Sequence, residues 1–179
     1  RVLQLVCESK RAWHAGRSFW AGETDINSRS IGIELDNRGD HPFSNKQMRA
    51  LIALCGDIAA RNNIPAHRVL GHSDVAIGRK TDPGARFDWR RLALSGVGVW
   101  PDLKTWHLNE AVEMDPVMGK DDPRLCAQFV KQAADYGYDP SLGVEQILSS
   151  LRQHFAPHRS GPLSRFDFAL LAALNALCN

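Results

Sequence analysis

The stretch 30-SIGIELDNRGDHPFSNKQMRALIALCGDIAARN-62 changes its hydrophobic period partway along. Its first six residues alternate, Ile31, Ile33 and Leu35 against Gly32 and Glu34, as in a strand with one face turned inward. After Ser44 the period lengthens to that of a helix, with Met48, Leu51, Ile52, Cys55, Ile58 and Ala59 on one apolar face. Ser44 suits the N-cap and Gln47 stands three residues on, a capping box, while Phe43 with Met48 fits a hydrophobic staple. Pro65 closes the segment. A strand followed by an amphipathic helix is a unit of an α/β sheet with at least one covered face.

Working outward, residues 1–6 (RVLQLV) and 67–70 (HRVL) also have strand character, and Phe87–Leu94 reads as a second short helix. The expected fold is therefore α/β, a central mixed β-sheet flanked by helices. From Gly96 to Asp122 the texture changes. Glycines, prolines and charged residues recur without a period, as in a linker or wrapping segment. Three amphipathic patterns follow, at Pro123–Tyr136, at Leu142–Phe155, and in a segment capped by Ser164 with Asp167 at its third position. These predict a small C-terminal three-helix module. The expected organisation is a domain over 1–101, a linker over 102–122 and the helical module over 123–179.

The 179 residues suffice for one domain, or one with a small appendage. Apolar content of 44% with 23% charged residues is ordinary for a soluble folded chain. A net charge of +2 creates no strong field for nucleic acid or an anionic membrane. No apolar run approaches the roughly 18–20 residues of a membrane-spanning helix. The four cysteines, Cys7, Cys55, Cys126 and Cys178, form no CxxC pair. Three fall on apolar positions of helical stretches, which suggests buried free thiols rather than a disulfide framework.

Candidate chemistry gathers in the loop 71-GHSDVAIGRKTDPG-84. A His with a carboxylate, here His72 and Asp82, suits zinc, which in catalytic sites takes three protein ligands and keeps one position open. Two ligands on one loop are one short, and by spacing alone a solvated turn explains the same residues. Glu34 sits mid-strand beside Gly32, where a carboxylate is costly unless paired or working, although an exposed strand face accounts for it equally. Lys80 stands two residues before Asp82, where an ammonium would stabilise developing negative charge; a solvated surface lysine is the ordinary alternative, and Arg79 reads as one more surface cation. The stretch 11-RAWHAGRSFWAG-22 interleaves Trp13, His14 and Trp20 with Gly16 and Gly22. That composition fits the wall of a groove for sugars and flat groups, or a loop whose tryptophans plug the core. His14 is also eligible as a third metal ligand.

Four motifs in one order, 11-RAWHAG-16, 30-SIGIEL-35, 71-GHSD-74 and 79-RKTDPG-84, resemble the zinc-dependent N-acetylmuramoyl-L-alanine amidases of the AmpD/AmiD type, relatives of the peptidoglycan recognition proteins. The resemblance covers about residues 1–101. The C-terminal segments 136-YGY-138 and 154-HFAP-157 are more loosely similar to the peptidoglycan-binding helical module of AmiD-like members. The resemblance implies that His72 and Asp82 are zinc ligands, Glu34 the catalytic acid and base, Lys80 the group stabilising the transition state, and Trp13, His14, Gly16 and Trp20 the substrate wall. It also implies a further His ligand on a strand upstream of Arg1, so the chain, which starts mid-strand, is expected to be a fragment of a longer protein. The expected cofactor is zinc, and the expected partners are peptidoglycan or muropeptides. A non-catalytic recognition module of the same fold is the competing class, and a zinc peptidase acting on the peptide alone is a third. The helical module tilts the expectation toward polymeric wall, hence toward the periplasm or outer membrane of a Gram-negative cell.

Overall fold

The computed structural model describes residues 1–103 and 122–178, so the expected linker lies almost wholly outside the described residues. The described helices are α1 (Asn45–Asn62), α2 (His72–Val75), α3 (Trp89–Leu94), α4 (Pro123–Tyr136), α5 (Val144–Phe155) and α6 (Arg165–Ala176). Ser44 caps α1, its hydroxyl accepting the Gln47 amide at 3.2 Å, and Asn63 ends the helix in the left-handed region at φ 51°. The capping box is only half formed, because the Gln47 side chain donates to the Asp36 carbonyl instead. Asp122 caps α4 by accepting the Arg124 amide at 2.8 Å, with Pro123 in the first turn where its missing N–H is not needed.

The strands expected at 1–6, 30–35 and 67–70 do not form; among the described residues the strand-type pairing is a single antiparallel bridge between Trp20 and Glu23. A central mixed sheet is therefore not seen there. A strand exists through ladder bonds to a neighbour, and alternation along one segment supplies the inward and outward pattern without supplying that neighbour. Residues 30–38 run without regular structure beside α1, while Val2, Leu3, Leu5 and Val6 are exposed. After Pro65 the chain makes a short 3-10 turn at Ala66–Arg68 in place of a strand.

Two apolar clusters hold the molecule together. Met48 and Leu51 of α1 pack with Phe87, Trp89, Leu92 and Val97. The larger cluster joins Phe129, Ile147, Leu151, Leu170 and Leu174 of the C-terminal helices to Trp20, Val75 and Ala76. The boundary expected after residue 101 therefore does not separate two cores. Helix α4 packs on α5 and α6, and α5 also packs on α2 and α3. Cys7 is exposed, whereas Cys55, Cys126 and Cys178 are only partly buried.

The join between the halves is tight at Gly137. It ends α4 at φ 141°, accepts the Ala21 amide at 2.7 Å, and lies under the Trp20 ring, where an added Cβ would come within 2.5 Å of Cε2. Gly137→Ala is expected to destabilise the protein by about 2 kcal/mol or more, through backbone strain and overpacking together. Thermal unfolding checks this, and a Tm within a degree of wild type would contradict it.

Candidate active site

A cleft of about 1030 Å³ opens between residues 30–40, α1 and the 71–84 loop. His14, Glu34, His72 and Asp82 contribute to its wall, alongside apolar side chains of α1 such as Leu51 and Ile58.

The loop is not wholly irregular, because its first residues wind into α2. The Asp74 carboxylate accepts the Gly71 amide at 2.7 Å and so starts that turn. The Ser73 amide donates to the Asp82 carbonyl at 2.9 Å, folding the loop back on itself. His72 Nδ1 thereby reaches Asp82 Oδ2 at 3.0 Å across ten residues. His72 Nε2 lies 3.0 Å from the Ala15 carbonyl, and a carbonyl can only accept, so this nitrogen carries the hydrogen in that pairing. Nδ1 is then left facing a carboxylate, an arrangement that asks for a proton or a cation between the two.

The pair suits zinc. Two donors bound tetrahedrally at about 2.0–2.1 Å stand roughly 3.3 Å apart, close to the separation seen here. A backbone carbonyl on the second ring nitrogen is a common outer-sphere partner for a metal-ligating His. Among the described residues no group of three His, Cys, Asp or Glu could hold a metal ion. His72 and Asp82 therefore fit as two ligands of such a site, not as a complete set.

His14 packs against the backbone at Gly32, where a Cβ would fall 2.5 Å from its ring, so the glycine between Ile31 and Ile33 makes room for a histidine. The Ser30 hydroxyl donates to the Ile26 carbonyl at 2.7 Å and accepts from His14 Nε2 at 2.8 Å. His14 Nδ1 is buried without a hydrogen-bond partner among the described residues. Glu34 is exposed on the cleft wall. Lys80 is also exposed but stands outside that wall.

The aromatic wall divides differently from its expectation. Trp13 is 79% exposed, with the Arg11 guanidinium 4.1 Å above its ring. Trp20 is 2% exposed and makes edge contacts with Tyr136 and Tyr138 at 5.5 and 4.9 Å. So enclosed, Trp20 is chiefly a core residue, although it also contributes to the lining of the cleft, which Trp13 and Gly16 do not. Gly16, at φ 63°, leaves room for the Arg79 guanidinium. Arg79, which reads as a surface cation in the sequence, donates to the carbonyls of Ala15 and Arg17 and ties the 13–17 turn to the loop.

Four residues that sequence reasoning left out of the site lie directly behind it. The Asp74 carboxylate, 2% exposed, accepts from His154 Nδ1 at 2.8 Å and from the Tyr138 hydroxyl at 3.1 Å. The Ser150 hydroxyl donates to the Ser73 carbonyl at 3.0 Å and lies 3.4 Å from Asp74 Oδ1. Burial, with the Asp74 charge next to it, pushes the Tyr138 phenol well above its usual range, so it keeps its proton as a donor. One signal was local: an Asp three residues after a helix-starting glycine. The other three partners lie 64 to 80 residues away and carry no such mark.

The family profile described as N-acetylmuramoyl-L-alanine amidase matches residues 1–85. The chain is 39% identical over 173 residues to N-acetylmuramoyl-L-alanine amidase AmiD of Escherichia coli, a match covering 88% of this chain and 60% of that protein. It is 44% identical over 91 residues to 1,6-anhydro-N-acetylmuramyl-L-alanine amidase AmpD of Enterobacter cloacae, covering 51% of this chain and 49% of that one. The chain thus spans about half to 60% of these curated relatives. It superposes with a TM-score of 0.83 on E. coli AmiD in complex with the substrate anhydro-N-acetylmuramic acid-L-Ala-D-gamma-Glu-L-Lys, at 37% identity, covering 97% of this chain and 72% of that one. The same score relates it to AmpDh3 of Pseudomonas aeruginosa, at 34% identity and with 98% and 73% of the two chains covered.

Proposed function

The chain belongs to the N-acetylmuramoyl-L-alanine amidase family, and from that premise we propose that it hydrolyses the amide joining the lactyl group of N-acetylmuramic acid to L-alanine of the peptidoglycan stem peptide. The observation that carries this is the convergence of His72 Nδ1 and Asp82 Oδ2 at 3.0 Å on the wall of a cleft that also bears Glu34.

His72 and Asp82 are proposed as zinc ligands. Zinc held there would supply Lewis acidity, polarising the scissile carbonyl and making water a stronger acid. Glu34 accepts the proton of the attacking water and returns it to the alanine nitrogen as the C–N bond breaks. Lys80 supplies positive charge for the oxyanion as it develops. Trp13, His14 and Gly16 form the proposed substrate-binding side, with His14 held against Gly32 by Ser30. Peptidoglycan or muropeptides are the proposed partners, and the Gram-negative cell envelope the proposed place of action. No described helix is long and apolar enough to cross a membrane.

Incubating the protein and zinc with purified peptidoglycan tests this. The expected products are a free lactyl carboxylate and a new L-alanine amine, seen by mass spectrometry, with loss of activity in chelator and recovery on adding zinc. A second class, recognition without cleavage, draws support from the two-donor count among the described residues. Muropeptide binding with no new amine in the presence of zinc would establish that class and reject the amidase.

A further inference from the structure

The 71–84 loop is gripped from behind at both of its chemical ends. Beside His72, Asp74 is held by Tyr138 and by His154 of α5, while Ser150 of the same helix holds the Ser73 carbonyl. Beside Asp82, the Gln153 side chain donates to the Thr81 carbonyl at 2.8 Å. The His154 ring is itself fixed between Trp89 and Phe155, each stacked at 3.8 Å. Every one of these donors except the Gly71 amide comes from α5 or from the turn after α4.

We infer that α5 and the Tyr138 turn are the positioning scaffold of the 71–84 loop, setting the direction of His72 through Asp74. The helical module is then part of the catalytic apparatus and not merely an appended wall-binding unit. Tyr138 and His154 are positioning residues, since neither lines the cleft and both act through Asp74. A buried carboxylate that loses one donor keeps its desolvation penalty and seeks another partner, which moves the turn that carries it. His72 is two residues along that turn, and a displacement of about 1 Å at a reacting centre can lower a rate on the order of 100-fold. The inference rests on the assignment of His72 to the active site.

The test uses four variants of the protein. Tyr138→Phe and His154→Leu remove a donor while keeping apolar volume; His154→Asn places an amide N–H where Nδ1 was; Asn175→Ala removes the bond from α6 to the Gln132 carbonyl of α4, in which α5 has no part, and serves as control. Hydrogen exchange is followed at the Ser73 and Asp74 amides in metal-free protein, and kcat and KM are measured with zinc. Tyr138→Phe and His154→Leu are expected to speed exchange there and lower kcat, each by about tenfold or more, with KM within about twofold. His154→Asn recovers most of both, and Asn175→Ala lowers Tm while leaving both unchanged. Unaltered exchange at 71–84 in the two donor-deleted variants would overturn the scaffold, as would equal effects from Asn175→Ala. If wild-type protein cleaves nothing, the amidase assignment falls, while the exchange data still judge the scaffold.

Discussion

Glu34→Gln is expected to lower kcat for peptidoglycan hydrolysis by about 10²–10⁴-fold, the usual worth of a positioned general acid and base. Gln keeps the size and hydrogen-bonding reach of the side chain and removes only its capacity to take a proton. Glu34 is exposed on the cleft wall and makes no hydrogen bond or ion pair among the described residues, so Tm is expected to stay within a degree or two of wild type. Muropeptide affinity should also be retained, because the carboxylate acts on the proton and not on the sugar or peptide. Steady-state kinetics with binding measured on the same preparations decides it. Hydrolysis within tenfold of wild type would remove Glu34 from the mechanism, and a loss of affinity equal to the loss of rate would make it a binding residue.

Asp167→Ala is expected to destabilise the protein by about 3–5 kcal/mol, the range for removing one partner of a buried ion pair. Asp167 is fully buried and receives Arg152 through two bonds, Nε to Oδ1 at 2.9 Å and Nη2 to Oδ2 at 2.7 Å. It also accepts the backbone amide and hydroxyl of Ser164, at 2.8 and 2.7 Å, and so starts α6. Truncation leaves the Arg152 guanidinium buried without its counter-charge and frays the helix start at once. For a chain of this size the loss corresponds to a fall in Tm of roughly 10 °C. An apolar double replacement, Arg152→Met with Asp167→Leu, is expected to recover part of the loss, since a buried pair and a packed apolar pair are of similar worth. Recovery stays incomplete because Arg152 also donates to the carbonyls of Gly161 and Pro162, which would lose their partner. Calorimetry checks both, and a single variant with unchanged Tm would show that the pair contributes nothing.

These two sites differ in how readily the sequence reveals them. Glu34 stands out locally, as a carboxylate among Ile31, Ile33 and Leu35, and the order of the four motifs assigns it a role by resemblance. The Arg152–Asp167 pair does not stand out, because Asp167 reads as a helix-start residue and Arg152 as one charge on an amphipathic face. The helices themselves were legible. Ser44 before α1 and Asp122–Pro123 before α4 are short-range signals, and the apolar stripes that follow are regular. Trp20 turned inward while Trp13 stayed exposed, a division the sequence does not show because composition cannot say which of two nearby tryptophans meets the aromatic pair Tyr136 and Tyr138.

What the sequence determined by itself was whatever is settled within a few residues: where the helices start and stop, which faces they bury, and which side chains have the chemistry for a hydrolytic site. The periodicity and the caps act through bonds to the third or fourth neighbour, so they are written where they operate. Tertiary structure alone decided which groups meet. It folded Asp82 back onto His72, pressed His14 onto Gly32, buried Trp20, and seated Asp74 under Tyr138 and His154. It also left 30–35 without a ladder among the described residues, since a strand needs a partner that alternation cannot name. Each of these depends on closing tens of residues of chain around a shared core, and no local pattern encodes which distant side chain will be waiting there.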